Sequence, residues 1–295
     1  VDQAHGAHFG MQEDFPKSAL EQGADLVVES VHKTLPAFTQ TALLHVQGNL
    51  VDRSRLKQFL GIYQTSSPSY VMMSGIAWCM DYCQKERKNA FSQYAKQLYQ
   101  LRKQLKQLPM LVLYDGKKEA KDAAVFDYDM GKIVFGVKDN LFTGAELYSY
   151  LREVHHLEME MASMSYVIAM TSVMDTKEGL ERLLVAAKDI NDKAIKRKEM
   201  GQNLKASHSM RTQDKKNKYI LSPYEADQKA GRKISFLQAA GKIAKDYVYL
   251  YPPGIPLLVP GEEITEEMIS YVQACEAQGL SVKGIKEETI WIVQD

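Results

Sequence analysis

Apolar residues fall into short runs at the start of the chain, a long helical stripe in its middle and a mixed texture beyond. The stretch Ala24-Asp25-Leu26-Val27-Val28 has the length and apolar character of a buried strand, which is expected over residues 24–29. Residues 1–10 read as the end of another strand entering a loop. Residues 16–22 suit a short helix with Gly23 as its stop. Strand, helix and strand at this spacing predict a right-handed crossover that leaves the two strands parallel. A further strand is expected over 41–46. Asp52 is a suitable N-cap for a helix over 52–63, with Arg53, Arg55 and Lys57 on its solvated face. Residues 69–108 read as helix, ended by Pro109. Within it Phe91, Tyr94, Leu98, Leu101 and Leu105 keep the three-to-four spacing of one buried face.

From Met110 the texture changes to short strands with turns. Strands are expected over 111–114, 132–136 and 166–170, and helices over 143–154 and 177–193. Met159, Met161, Met164, Met170 and Met174 are read as core filling, since Met suits irregular gaps. Residues 196–218, opening with Lys196-Arg197-Lys198, read as a solvated linker. Ser222 opens a helix ending near Gly231. The Tyr251-Pro252-Pro253-Gly254 segment is a rigid turn into a strand over 255–259, and Thr265 caps a last helix. The expected division is 1–109, an α+β unit over 110–200, and a final unit over 201–295.

Charge narrows the partners. Lys+Arg and Asp+Glu number 37 each, so the basic excess of a broad nucleic-acid footprint is missing and no nucleic-acid partner is expected. No apolar run approaches the roughly 20 residues of a membrane span, so no membrane partner is expected either. Cys79, Cys83 and Cys275 make no disulfide framework, which points to a reducing, cytoplasmic setting. Cys79 and Cys83, four apart on a helix, read as small buried residues. His155-His156-x-Glu158 lacks helical metal-ligand spacing, and no metal site is expected.

The candidate chemistry sits at two strand ends. Ser30-Val31-His32-Lys33-Thr34 directly follows the 24–29 strand, and Val1-Asp2-Gln3-Ala4-His5-Gly6 opens the chain. In parallel sheets ligands bind beyond the carboxyl ends of the strands. Asp2 and Lys33 therefore face one crevice. A lysine there is a candidate for a Schiff base with a carbonyl cofactor such as pyridoxal phosphate (PLP), and a carboxylate is what the pyridine nitrogen of that cofactor requires.

Together these segments resemble the Orn/Lys/Arg decarboxylases of PLP fold type I, which carry Asp-x-Ala-His-Gly and then Ser-x-His-Lys-Thr. The likeness continues through Leu35-Pro36-Ala37-Phe38-Thr39-Gln40-Thr41 and Thr65-Ser66-Ser67-Pro68-Ser69-Tyr70. It returns from Tyr251 to Glu262. The chain departs at Met73-Ser74-Gly75-Ile76-Ala77-Trp78, where the family runs Met-Ala-Ser-Leu-Asp; an acid is lost and a glycine enters a helix. The resemblance implies an α/β fold, PLP fold type I (aspartate-aminotransferase-like), with α+β C-terminal domains. It implies a segment before Val1 that carries a phosphate-binding loop and a ring-stacking residue.

The same resemblance implies PLP-dependent decarboxylation of lysine, arginine or ornithine through a Schiff base on Lys33. Asp2 would hold the pyridine nitrogen, Ala4 would lie against the ring, and His5 would lie near the substrate carboxylate or a polar edge of the cofactor. Ser30 and His32 would bind phosphate. Thr65, Ser66 and Ser67 would reach the phosphate of a partner subunit, in a homodimer or larger homo-oligomer with shared sites. The Lys/Asp pair alone does not separate decarboxylase from aminotransferase or lyase, nor from a PLP-fold protein without activity.

Overall fold

Strand β1 (Leu26–Ser30) forms where the apolar run predicts it, in a computed structural model that describes residues 1–116, 125–202, 217–251 and 254–294. Val27 and Glu29 point to the buried side and Val28 outward, the period-two alternation of a strand. The opening residues run parallel to it, with Asp2 opposite Val28. A single turn, α1 (Val31–Thr34), follows β1. Strand β2 (Ala42–Val46) then pairs antiparallel with β1, Leu26 opposite Val46 and Ser30 opposite Ala42.

The helix expected over 16–22 does not form. The amide of Ala19 donates to Gln3 Oε1 (2.8 Å) and that of Leu20 to Ser18 Oγ (3.3 Å). With these donors diverted, a seven-residue segment cannot offset the cost of helix nucleation. It folds as successive turns closed by Gly23, whose φ of 90° favours glycine.

Helix α2 (Arg53–Tyr63) starts at Asp52, whose carboxylate accepts from the amides of Ser54 and Arg55. Helix α3 (Tyr70–Leu105) is capped by Ser69 and buries Phe91, Tyr94, Leu98, Leu101 and Leu105, the predicted stripe. Cys79 and Cys83 are buried. Gly75 does not break α3: a Cβ there would lie 2.5 Å from Phe38 Cδ2, so its bareness makes room for that ring. These elements, with segments Leu113–Ile133 and Met170–Val185, form the first of two compact units.

The second unit comprises Leu108–Val112, Val134–Ala169 and Ala186–Asp295. Strands β3 (Leu111–Leu113), β4 (Lys132–Val137), β5 (Met161–Ala162) and β6 (Tyr166–Met170) make a sheet of order β3-β4-β6-β5. Helix α4 (Gly144–His155) begins at a capping box of Thr143 and Glu146. Met159 and Met161 are buried, whereas Met174 is exposed, so the methionine run is core only in part.

Helix α5 (Lys177–Glu199) runs past 193 and absorbs the start of the expected linker. Lys196, Arg197 and Lys198 occupy its last turn, where cations suit the helix dipole. Arg197 donates to Leu141 O (2.6 Å) and Lys198 to Asp139 (2.7 Å). Linker residues 203–216 and prolines 252 and 253 lie outside the described residues. Then come α6 (Pro223–Gln228), β7 (Gly231–Ser235), β8 (Val248–Leu250), β9 (Ile255–Leu258), α7 (Glu266–Ala277), β10 (Val282–Lys283) and β11 (Thr289–Val293). Thr265 caps α7 as predicted. Phe236, Val248, Leu258, Ile264, Val272 and Ile290 are among the residues that fill this last core.

Candidate active site

The site is built on the parallel step between the opening residues and β1. The amide of Gln3 donates to Val28 O (2.8 Å), and that of Val28 to Val1 O (3.1 Å). Past Gln3 the chain turns, closed by the amide of Gly6 on Gln3 O (2.8 Å). The buried Gln3 side chain locks that turn. Its Nε2 donates to Gly6 O (3.1 Å) and Glu29 Oε1 (2.5 Å), while its Oε1 takes the Ala19 amide. Gly6 has no room for a side chain, since a Cβ would lie 2.6 Å from the Phe9 ring and 2.7 Å from Gln3 Cγ. Asp2, exposed at the strand end, accepts the Ala4 amide on Oδ1 (2.9 Å). Ala4 stands half-buried between Asp2 and His5.

Lys33 lies in the turn α1, immediately beyond β1 and half-buried. Its Nζ is 2.9 Å from His5 Nε2. An ammonium has no lone pair, so a charged Lys33 donates to the bare Nε2 of a neutral His5. An amine attacks a carbonyl only after losing its proton, and His5 is the acceptor in reach. The geometry therefore sets an amine beside a group able to take its proton.

The remaining sequence-predicted residues divide. The ring of His32 is fixed by Nδ1–H donating to Thr41 O (2.9 Å). With Nδ1–H so engaged, Nε2 donates to an anion only in the imidazolium form. Ser30 ends β1 and makes no capping bond with its hydroxyl. Thr65, Ser66 and Ser67 are exposed in the loop between α2 and α3. There Thr65 Oγ1 accepts the Ser67 amide (3.2 Å). The structure thus brings Asp2, Ala4, His5, Ser30, His32 and Lys33 to one strand-end region, while Thr65–Ser67 sit on an exposed loop between α2 and α3.

These groups fit PLP. They offer an amine for its aldehyde, an exposed carboxylate for its pyridine nitrogen, and a hydroxyl with an imidazole for its phosphate. The buried Thr34 Oγ1 beside Lys33 has no hydrogen-bond partner among the described residues, a polar atom left over at this spot.

Two supports lie outside the motifs. Glu29, buried under Ser30, takes Gln3 on one oxygen and His45 Nε2 on the other (3.1 Å). Asp129, 8% exposed, accepts the Gly131 amide on Oδ1 (2.8 Å). Its Oδ2 faces Lys132 Nζ (2.9 Å) and His8 Nε2 (3.2 Å), the latter out of line for a hydrogen bond. Burial alone would raise the Asp129 carboxyl, but His8 and Lys132 overcome it and hold the group well below the usual carboxylate range. Sequence offers one faint signal for this cluster, the acid-cation pair Asp129 and Lys132 three apart just before an apolar strand.

Residues 1–140 match the family model described as Orn/Lys/Arg decarboxylase, major domain, and residues 205–294 match that of the Orn/Lys/Arg decarboxylase C-terminal domain. The chain is 31% identical over 293 residues to an arginine decarboxylase of Bacillus anthracis, an alignment covering 98% of this chain and 58% of the relative. It is 28% identical over 294 residues to an arginine decarboxylase of Bacillus subtilis, covering 100% and 59%. The chain thus spans less than two thirds of these relatives. Among solved structures, the constitutive lysine decarboxylase of E. coli superposes with a TM-score of 0.70 at 16% identity, over 91% of this chain and 49% of that one. The lysine decarboxylase of Francisella novicida gives 0.72 at 16% identity over the same shares. The α/β fold is accordingly PLP fold type I.

Proposed function

Because the chain belongs to the Orn/Lys/Arg decarboxylase family, we propose that it carries the lysine-bearing part of a PLP-dependent decarboxylase acting on a basic amino acid. The observation that carries this reading is the 2.9 Å contact of Lys33 Nζ with His5 Nε2 at the same strand-end region as Asp2. Arginine is the substrate we put first, because the relatives of 31% and 28% identity bear that name. PLP, when bound, supplies a sink for the electron pair left behind as CO2 departs.

The chain's own residues do the rest. Lys33 would provide the amine that anchors the cofactor, and its Nζ would hold the proton to be returned. His5 Nε2 takes and gives that proton across a single hydrogen bond. Asp2 would hold the pyridine nitrogen with its exposed carboxylate. Ser30 and His32 hold the anionic end, and Gln3 with Glu29 keeps the Asp2-to-His5 turn from shifting.

We also propose a homodimer or larger homo-oligomer, with Thr65, Ser66 and Ser67 reaching the partner's phosphate. Supporting it, Ile62, Tyr63, Tyr70, Val71 and Trp78, on either side of those residues, are all more than half exposed, a run of large apolar groups that water disfavours.

The test uses the full-length polypeptide with PLP and arginine, lysine or ornithine. CO2 and the matching amine are expected, fastest from arginine, with borohydride fixing the cofactor to Lys33. Keto-acid formation without CO2, or a borohydride tag on another lysine, would overturn the reading.

A further inference from the structure

We propose that Lys132 and Asp129 are positioning residues for His5, and through it for Lys33; this rests on the reading of Lys33 and His5 given above. Lys132 Nζ donates to Asp129 Oδ2 at 2.9 Å and to the backbone carbonyl of His5 at 3.4 Å, across 127 residues of sequence. It ties the turn that carries Asp2, Ala4 and His5 to a fixed point. Gln3 locks the same turn from the opposite partners, Glu29 and Ala19.

The fixed point is unusually well anchored. Thr171 Oγ1 spends its one proton on Gly131 O (2.7 Å), so the Tyr94 hydroxyl donates to Thr171 Oγ1 (2.7 Å). A Cβ on Gly131 would lie 2.6 Å from that Tyr94 oxygen. Tyr94 stacks on Phe15 at 5.3 Å. Phe15 in turn packs edge-on against His8 at 5.1 Å, and His8 faces Asp129. Asp129, and with it the ammonium it holds, thus rests on a buried framework of these contacts. A buried carboxylate is costly unless compensated, and a cation shared between it and a carbonyl is sensitive to small displacements. A salt bridge meant only for stability needs no third partner. Here the third partner is the backbone of the residue that touches Lys33.

Positioning and plain electrostatics give opposite signs, which makes the test decisive. Ionisable groups on the segments that carry Lys33 and His5 include Asp2, His8 and His32, and Asp129 with Lys132 joins them through the His5 carbonyl. If Lys132 and Asp129 acted on Lys33 by charge alone, removing the cation would favour its ammonium form and removing the anion would disfavour it. If they act by holding His5, both removals misplace the same imidazole and move Lys33 the same way.

The experiment measures competitive acetylation of Lys33 against pH in the full-length polypeptide without cofactor, read by mass spectrometry, in parallel with steady-state kinetics of the loaded enzyme. Lys132→Met and Asp129→Asn should shift the Lys33 labelling midpoint in one direction, that of His5→Gln. They should also lower kcat about tenfold or more with KM little changed, as expected for a misplaced group. Lys132→Arg, which keeps a donor, should restore the midpoint.

Shifts of opposite sign for the two variants, an unmoved midpoint in Lys132→Met with only a lower melting temperature, or an unmoved midpoint in His5→Gln would each overturn the inference. A Lys33 never trapped by borohydride defeats the proposed function instead, and the labelling result stands apart from it.

Discussion

At the scale of single residues, what distinguishes this site is how few groups are left to chance. Gln3, the variable position inside Asp2-Gln3-Ala4-His5, uses both ends of its amide on three partners. Gln3→Leu would keep the volume and strip all three bonds, leaving the Glu29 carboxylate with His45 alone. A loss of about 2–4 kcal/mol by urea unfolding is expected, the cost of orphaning a buried charged acceptor. A change under about 0.5 kcal/mol would mean that the turn holds without it.

Asp129 gives a signed prediction with pH. Its folded-state carboxyl lies below the ordinary value near 3.9, so its contribution is fully present above that value. The contribution is lost as pH falls through the folded one. Wild type should therefore lose stability from about pH 5 downward. Asp129→Asn should start lower at pH 7 and decline less steeply on the acid side. Parallel acid limbs in the two proteins would contradict this assignment of the low carboxyl.

At the scale of elements, the chain was readable where local rules act alone. Asp52 and Thr265, the two caps read from sequence, each cap the helix that follows, and a carboxylate or hydroxyl at such a position needs only its own amides; Ser69 and Thr143, first residues of two expected helices, act as caps as well. The stripe of α3 is legible for the same reason. Leu98, wholly buried in it, should cost about 2–5 kcal/mol when cut to Ala, measured by thermal or urea unfolding. Exposed Tyr99 next to it should tolerate the same change far better, losing chiefly its 2.6 Å bond to Asp14.

Legibility ends where distant residues intervene. The 16–22 segment has helical composition, yet Gln3 takes the Ala19 amide from across the fold. Strand β11 carries a plain β-branched and aromatic signal in Thr289-Ile290-Trp291-Ile292-Val293. Its partner β7 reads Gly-Arg-Lys-Ile-Ser, and its pairing along β11, from Gly231 opposite Val293 to Ser235 opposite Thr289, makes a strand of it. In the candidate site, Lys33 and His5 are marked by motifs, whereas Lys132 and Asp129 have none. Their part is set by a carbonyl 127 residues away, and no periodicity in sequence reports a contact with backbone.

At the scale of the whole molecule, the open question is what meets the apolar surface around Thr65–Ser67. Helix α2 buries none of its residues, and Ile62 and Tyr63 end it exposed. The first turns of α3 expose Tyr70 and Val71. An isolated amphipathic helix gains little from propensity alone and draws its stability from a covered face. The proposal of a second copy, with the loop serving the partner's site, makes a specific demand on mixtures.

In the full-length polypeptide, a variant lacking Lys33 has no anchor for the cofactor. A variant with Ser66 and Ser67 replaced by bulky residues cannot seat the partner's phosphate. Each alone should be weak or dead. Mixed and allowed to exchange subunits, they form hybrids in which one site draws Lys33 from one chain and an intact Thr65–Ser67 loop from the other. That site should recover up to about the activity of one native site per hybrid dimer, so about half of the dimers in an equal random mixture regain one site. Subunit exchange is followed independently with differently tagged chains. Exchange without any recovery would show that the loop serves its own chain or none, and that the apolar surface, whatever covers it, does not complete the site.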